Sequence, residues 1–124
     1  MLADLLRDPD KHVRKAAARA VSGLGAAAAG DAVIMARLAD LLRDREGFVR
    51  RAAAAAVSGI GAAAVGNATI MARLARLLRD PEGDVGHVAA RVVRRITASA
   101  KSRAFTDADH SIQIRGISEL SSLG

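Results

Sequence analysis

The side chains that could do chemistry in this chain are few, and their spacing argues against a catalytic centre. The histidines are His12, His87 and His110. A metal ligand or a positioned base needs a second His, Asp or Glu on the same helix face, and none of the three has one. Cysteine is absent, which removes thiol nucleophiles, thiolate metal sites and disulfides. Ser22 and Ser58 lack a nearby base to activate them. Gly23-Leu24-Gly25 and Gly59-Ile60-Gly61 carry too little of a phosphate loop and follow helical rather than strand patterns. The acids Asp8, Asp10, Asp44, Glu46, Asp80 and Glu82 recur at equivalent places, whereas a catalytic pair should be unique. The expectation is a chain with no catalytic residues, no cofactor and no metal.

Positive charge is the one feature with binding potential. The chain carries 19 Lys and Arg against 13 Asp and Glu, a formal net charge of +6. Lys11, Lys15, Arg19, Arg51, His87, Arg91 and Arg94 fall on one face of a series of equivalent helices, opposite their apolar stripe, and no acid is expected on that face. Such a face suits an acidic peptide, an acidic protein patch or a phosphate backbone. The plainer alternative is a solvated face that keeps an alanine-rich stack soluble.

The elements that must position these residues are repeated. Leu2-Ala3-Asp4-Leu5-Leu6-Arg7-Asp8 returns at 38–44 and, with Arg76 for Asp, at 74–80, a step of 36 residues each time. Residues 2–37 and 38–73 agree at 26 of 36 positions. Periodicity of this length signals a stacked-repeat architecture. In the second copy Ile34, Leu38, Leu41 and Leu42 form an apolar stripe on a helix A predicted over about 32–43, with Asp31, or Asn67 in the next copy, as N-cap. Helix A ends at Asp44-Arg45-Glu46-Gly47, matching Asp8-Pro9-Asp10-Lys11 and Asp80-Pro81-Glu82-Gly83. The proline suits the first turn of the next helix, with the preceding Asp as its cap. Helix B is predicted over about 47–59, burying Val49, Ala52, Ala53, Ala56, Val57 and Ile60. Its first-copy equivalents are Val13, Ala16, Ala17, Ala20, Val21 and Leu24. The Gly-x-Gly elements then stop it. A hairpin with one apolar face cannot bury it alone, so the copies must stack.

Composition sets limits on that stack. About half the residues are apolar, but mostly alanine, with no Trp or Tyr and only Phe48 and Phe105 as aromatics. Little area is buried per residue, so at roughly 25 cal/mol per Å² stability should be modest. The N-terminus lacks a signal-peptide apolar core, and the stretch 20–36 is interrupted by Ser22, glycines and Asp31, so no membrane span is expected. A cysteine-free chain fits a reducing compartment, and a cytoplasmic location is expected.

The run at 2–25, Leu-Ala-Asp-Leu-Leu-Arg-Asp-Pro-Asp-x-x-Val-Arg-x-Ala-Ala-Ala-x-Ala-Val-x-Gly-Leu-Gly, resembles the HEAT-repeat family. It is most similar to the short bacterial HEAT-like repeats grouped with phycobilin-lyase-type proteins. The resemblance covers residues 2 to about 100 and is specific for fold rather than function. It implies an all-α, right-handed-type α-solenoid of about three stacked antiparallel hairpins, at about 1–30, 31–66 and 67–103. It also implies a hydrogen-bonded ladder between repeats, using Asp8 with Arg14 and Asp44 with Arg50. The third copy keeps Asp80 but has Gly86 in place of the arginine, which puts the ladder there in question and marks an end repeat. The B helices of such arrays line the concave side, so the basic face would lie in a groove.

Two segments leave the pattern. Met1 aligns with Arg37, so the residues equivalent to 31–37 are missing and the first helix A is truncated: either a shortened helix begins the protein, or the chain is a fragment of a longer array, the favoured expectation. Residues 104–124 form a tail, either disordered or a short amphipathic helix. The expected function is a non-catalytic protein-interaction scaffold, part of a larger signalling or scaffold protein, holding an acidic protein partner on the basic face. Nucleic-acid backbone binding is the alternative, weakened by the lack of Trp and Tyr for base stacking. A phycobilin-lyase-like role has only fold analogy behind it. A groove of three 13-residue helices, roughly 20 Å by 30 Å, offers on the order of 600 Å². A standard interface takes about 800 Å² per partner, so the contact would be weak or shared with further repeats.

Overall fold

The computed structural model describes residues 2–100; the tail expected at 104–124 lies outside them. All of the regular structure in this span is helical. Leu2–Leu5 is α1, Lys11–Leu24 α2, Ala32–Leu41 α3, Gly47–Ile60 α4 and Ala68–Leu77 α5. Residues 83–100 are helical as well and form α6. The A helices α1, α3 and α5 make one layer, each touching the next, and the B helices make the other, with α2 packed along α4. One continuous core runs between the layers, from Leu6 through Leu38, Leu42 and Val57 to Leu74 and Ile96. This is an α-solenoid of stacked hairpins.

Capping explains where the A helices begin. Asp31 accepts from the backbone N–H groups of Val33 and Ile34 at 3.0 and 3.1 Å, and Asn67 accepts from Ile70 at 3.0 Å. These side chains satisfy N–H groups that have no partner inside the helix. Helix A ends at Leu41, two residues earlier than its pattern suggests. The last turn tightens there, with Arg43 N–H on the Asp40 carbonyl and Asp44 N–H on that of Leu41.

The start of helix B corrects the expected cap. Pro9 lies in the turn before α2, and the cap is Asp10, whose carboxylate accepts from His12 N–H at 2.8 Å. Asp8, Asp44 and Asp80 instead each accept from the N–H two residues on, at 2.8, 2.9 and 2.9 Å. These Asx turns reverse the chain and aim the carboxylates sideways, toward the neighbouring repeat.

The ends of the B helices also differ from expectation. Gly25 and Gly61 stop α2 and α4 with φ of 60° and 78°, a conformation that costs glycine little. Gly23 and Gly59 lie inside the helices. A 3-10 turn follows each stop, at Gly25–Gly30 and Gly61–Gly66. The run Gly47–Gly66 is long and apolar enough by length and composition to cross a membrane. In the fold its apolar side chains form the centre of the stack, with Val49, Ala53, Ala54, Ala56 and Val57 fully buried.

The expected buried face of helix B holds in the middle copy, except that Ala52 is only half-buried and Ala54 is buried too. In the first copy Ala17 and Val21 are buried, but Ala16, Ala20 and Leu24 are exposed and Val13 is half-buried. The reason is positional: α4 has a helix on either side, whereas α2 has a neighbour on one.

Candidate functional site

The arginines of the ladder reach the next repeat, not their own. Arg14 Nε and Nη2 donate to the two carboxylate oxygens of Asp44 at 2.8 and 3.2 Å. Its Nη1 donates to the backbone carbonyls of Asp8 and Pro9, both at 2.9 Å. Arg50 repeats the geometry one copy on, with Nε and Nη2 to Asp80 at 2.8 and 3.0 Å and Nη1 to the Asp44 carbonyl at 2.7 Å. The pairings are therefore Arg14 with Asp44 and Arg50 with Asp80, and the third copy is inside the ladder. Gly86 removes only an outgoing rung. Each arginine fixes its own loop through the backbone and its neighbour through a bidentate carboxylate contact, the geometry a planar guanidinium favours.

Burial makes these rungs rigid. The side chains of Arg14 and Asp44 are 8% and 9% exposed, and those of Arg50 and Asp80 13% and 4%. Burial on its own pushes the Asp80 carboxyl up. The hydrogen bonds from Arg50 and Glu82 and the Arg50 charge outweigh it, and the net shift is downward. Arg50 is raised, chiefly by its hydrogen bond to Asp80. These residues hold the stack together and take no part in a surface site. A second tie crosses the A layer: Arg37 donates to the Ala3 carbonyl at 2.9 Å and Arg73 to Asp40 at 3.3 Å.

The basic B-helix face is where a partner could sit. Lys15, Arg19 and Arg51 line an open depression of about 370 Å³ between α2 and α4. Arg91 and Arg94 line a second, of about 810 Å³, between α4 and α6. The two adjoin, sharing Ser22, Ala55 and Val88 in their walls. Lys11 and His87, although exposed on the same helices, line neither. Close packing creates the trough: a Cβ on Gly59 would lie 2.8 Å from the Ser22 carbonyl oxygen, so α2 and α4 approach only because that side chain is absent.

Several features of this face were not expected from the pattern. Arg95, at the position held by Gly23 and Gly59, adds a cation to the second depression. Phe48 closes the end of the first, where the His12 ring stacks on it at 5.6 Å and Lys11 and Lys15 stand 5.8 and 5.7 Å from its centre. Cations over a ring face are held by its quadrupole. As the lone aromatic within the repeated span, replacing the histidine of the first copy, Phe48 was the signal that could have marked this end. The face is also not free of acid: Asp84 Oδ2 stands 3.9 Å from Arg51 Nη1, because position 84 carries the Asp that aligns with His12 and Phe48. Among the described residues Lys15, Arg19, Arg91, Arg94 and Arg95 make no ion pair with an acid. Ser22 and Ser58 are half-buried in the walls of the trough, with no base near them among the described residues.

Two layers of antiparallel helices, tied by a buried Arg-Asp ladder, define a helical repeat protein of the solenoid class. Residues 1–27 match the family model described as HEAT repeat, and the all-helical stack of hairpins agrees with that similarity. No curated protein sequence matches it. Repeats of this kind generally mediate protein–protein interaction and are typically non-enzymatic scaffolds.

Proposed function

We propose that the chain is a non-catalytic interaction module, part of a larger scaffold or signalling protein in the cytoplasm, whose B-helix trough holds an acidic segment of a protein partner. One observation carries this reading. Two adjoining depressions have cations along their rims and alanine and valine in their walls, and five of those cations lack an acidic partner among the described residues. An acidic segment with intervening small apolar residues satisfies both parts: carboxylates meet the rim, and apolar groups leave water against Ala55 and Val88. The uneven charge also matters. The arginine-rich end at Arg91, Arg94 and Arg95 would take the densest negative charge, while the Phe48 end suits an aromatic or aliphatic anchor.

The test is a titration of the full chain with a fluorescent peptide of alternating Glu and Ala. The same titration is run on a variant with Lys15→Glu, Arg51→Glu and Arg91→Glu. Binding should weaken at least tenfold in the variant and fall with added salt. Equal affinity for both proteins would sink the proposal. Duplex DNA is the second ligand: tighter binding than the peptide, with a salt slope of several counterions, would favour the nucleic-acid reading instead.

A further inference from the structure

The arginine-rich end of the trough is where the third copy breaks the repeat, and the break narrows what fits there. Positions 22, 58 and 94 are equivalent, as are 23, 59 and 95. The first two copies place serine and then glycine at them, whereas the third places Arg94 and Arg95. Ser22, Ser58 and Gly59 therefore line one side of the depression of about 810 Å³, and Arg91, Arg94 and Arg95 of α6 line the other. All three arginines are exposed, and none pairs with an acid among the described residues. Arg94 makes only a 3.5 Å contact, from Nε to the Ala90 carbonyl of its own helix. The two serine hydroxyls are in no hydrogen bond among the described residues, whereas the Thr97 hydroxyl donates to the Val93 carbonyl in its own helix.

We propose that Arg91, Arg94 and Arg95, with the hydroxyls of Ser22 and Ser58, form a recognition site for a phosphoserine or phosphothreonine in the segment that the trough holds. The proposal rests on the reading of the trough as a groove for a protein partner, and adds that the partner is recognised in its phosphorylated form. Three neighbouring guanidinium groups repel one another until an anion neutralises them. A carboxylate brings one charge and two oxygens. A phosphate monoester brings about −1.5 to −2 near neutral pH and three acceptor oxygens, enough to engage two planar guanidinium forks and a hydroxyl at once. The charge is also local. Midway along the trough Arg51 already stands 3.9 Å from Asp84, and Phe48 closes the far end. A nucleic-acid backbone spreads its charge evenly along its length, whereas a peptide with one phosphorylated side chain concentrates it at one place.

The experiment titrates the full chain with three fluorescent Glu-Ala peptides that differ only in the central residue: serine, glutamate or phosphoserine. The phosphoserine peptide should bind about tenfold or more tighter than the serine peptide, and several-fold tighter than the glutamate one. Arg94→Gln with Arg95→Gln should bring the serine-to-phosphoserine ratio of Kd values close to one. Glutamine keeps the helix propensity at these exposed positions. Lys15→Gln with Arg19→Gln removes the same charge from the other end, and should weaken all three peptides while the ratio persists. Equal binding of the serine and phosphoserine peptides overturns this inference and leaves the acidic-segment reading standing, whereas failure of all three peptides to bind overturns both. A ratio lost equally in the two double variants overturns it as well, because the gain would then come from net charge. So does displacement of the labelled phosphoserine peptide by duplex DNA, or by inorganic phosphate, at a lower concentration than by the unlabelled peptide, since the ligand would then be a nucleic-acid backbone or a free anion.

Discussion

The ladder shows how far single residues decide this fold. Removing Arg50 leaves the Asp80 carboxylate, 4% exposed, without its guanidinium. Leaving a buried charge unpaired typically costs about 3 kcal/mol or more. Arg50→Gln should therefore cost about 3 kcal/mol at neutral pH in chemical denaturation, and a loss under 1 kcal/mol would show that water replaces the rung. The pH dependence follows from the lowered Asp80 carboxyl. A group with a depressed folded-state pKa adds stability that is complete above its unfolded value of about 3.9 and is lost as pH falls through the folded value. The stability gap between the natural chain and Asp80→Asn should stay constant from about pH 7 to 5 and close below about pH 4. A gap that persists at low pH would show that the charge of the Asp80 carboxylate is not the source of its contribution. The participation of these Asp and Arg residues was implied by the resemblance to HEAT-like repeats, not by their recurrence alone. The direction of the pairing was not, because a 36-residue step makes the residue in the same copy and the one in the next copy equivalent in sequence.

At the scale of elements, what the pattern conveyed and what it hid separate cleanly. The helical stripes follow from apolar spacing, and Ile34, Leu38, Leu41 and Leu42 are all buried as their period requires. The 3-10 turns after α2 and α4 were hidden, because Gly-Ala-Ala-Ala has no apolar period and helix propensity alone does not distinguish a 3-10 turn from a loop. The two glycines inside the B helices looked alike for the same reason. Gly23 has open space around it, and Gly59 faces Ser22 Oγ and backbone. Gly23→Ala should stabilise by roughly 0.5–1 kcal/mol, because alanine is the better helix former and meets nothing. Gly59→Ala should destabilise by about 1–3 kcal/mol, because the new methyl group pushes α4 away from α2. Thermal unfolding of the two variants gives the signs. Two stabilising changes would mean that the helices part without cost, and the wall shared by the two depressions would not be fixed by this contact.

The trough was legible only in part, since the sequence places Lys15, Arg19, Arg51, Arg91 and Arg94 on one helical face but gives no depth to it. Depth comes from how closely whole helices approach, and that is a property of the stack. The same is true of stability. A solenoid is held by contacts between neighbours, so each helix is as stable as the interfaces on its two sides. Helix α4 has both interfaces, and seven of its residues are buried. Helix α1 is four residues long, buries none of them, and has no hairpin before it among the described residues. Short helices are marginal without tertiary support. Native-state hydrogen exchange should therefore grade along the molecule. The amides of Ala53, Ala54 and Val57 should exchange only through global unfolding, and that of Leu6, bonded to the Leu2 carbonyl at 3.1 Å, should exchange with a free energy several kcal/mol lower. Saturating the trough with the acidic peptide should slow exchange in α2, α4 and α6 together, by the ratio of peptide concentration to its Kd, and leave Leu6 unchanged. Uniform protection from α1 to α6 would contradict this. It would mean that the stack opens as one unit rather than hairpin by hairpin.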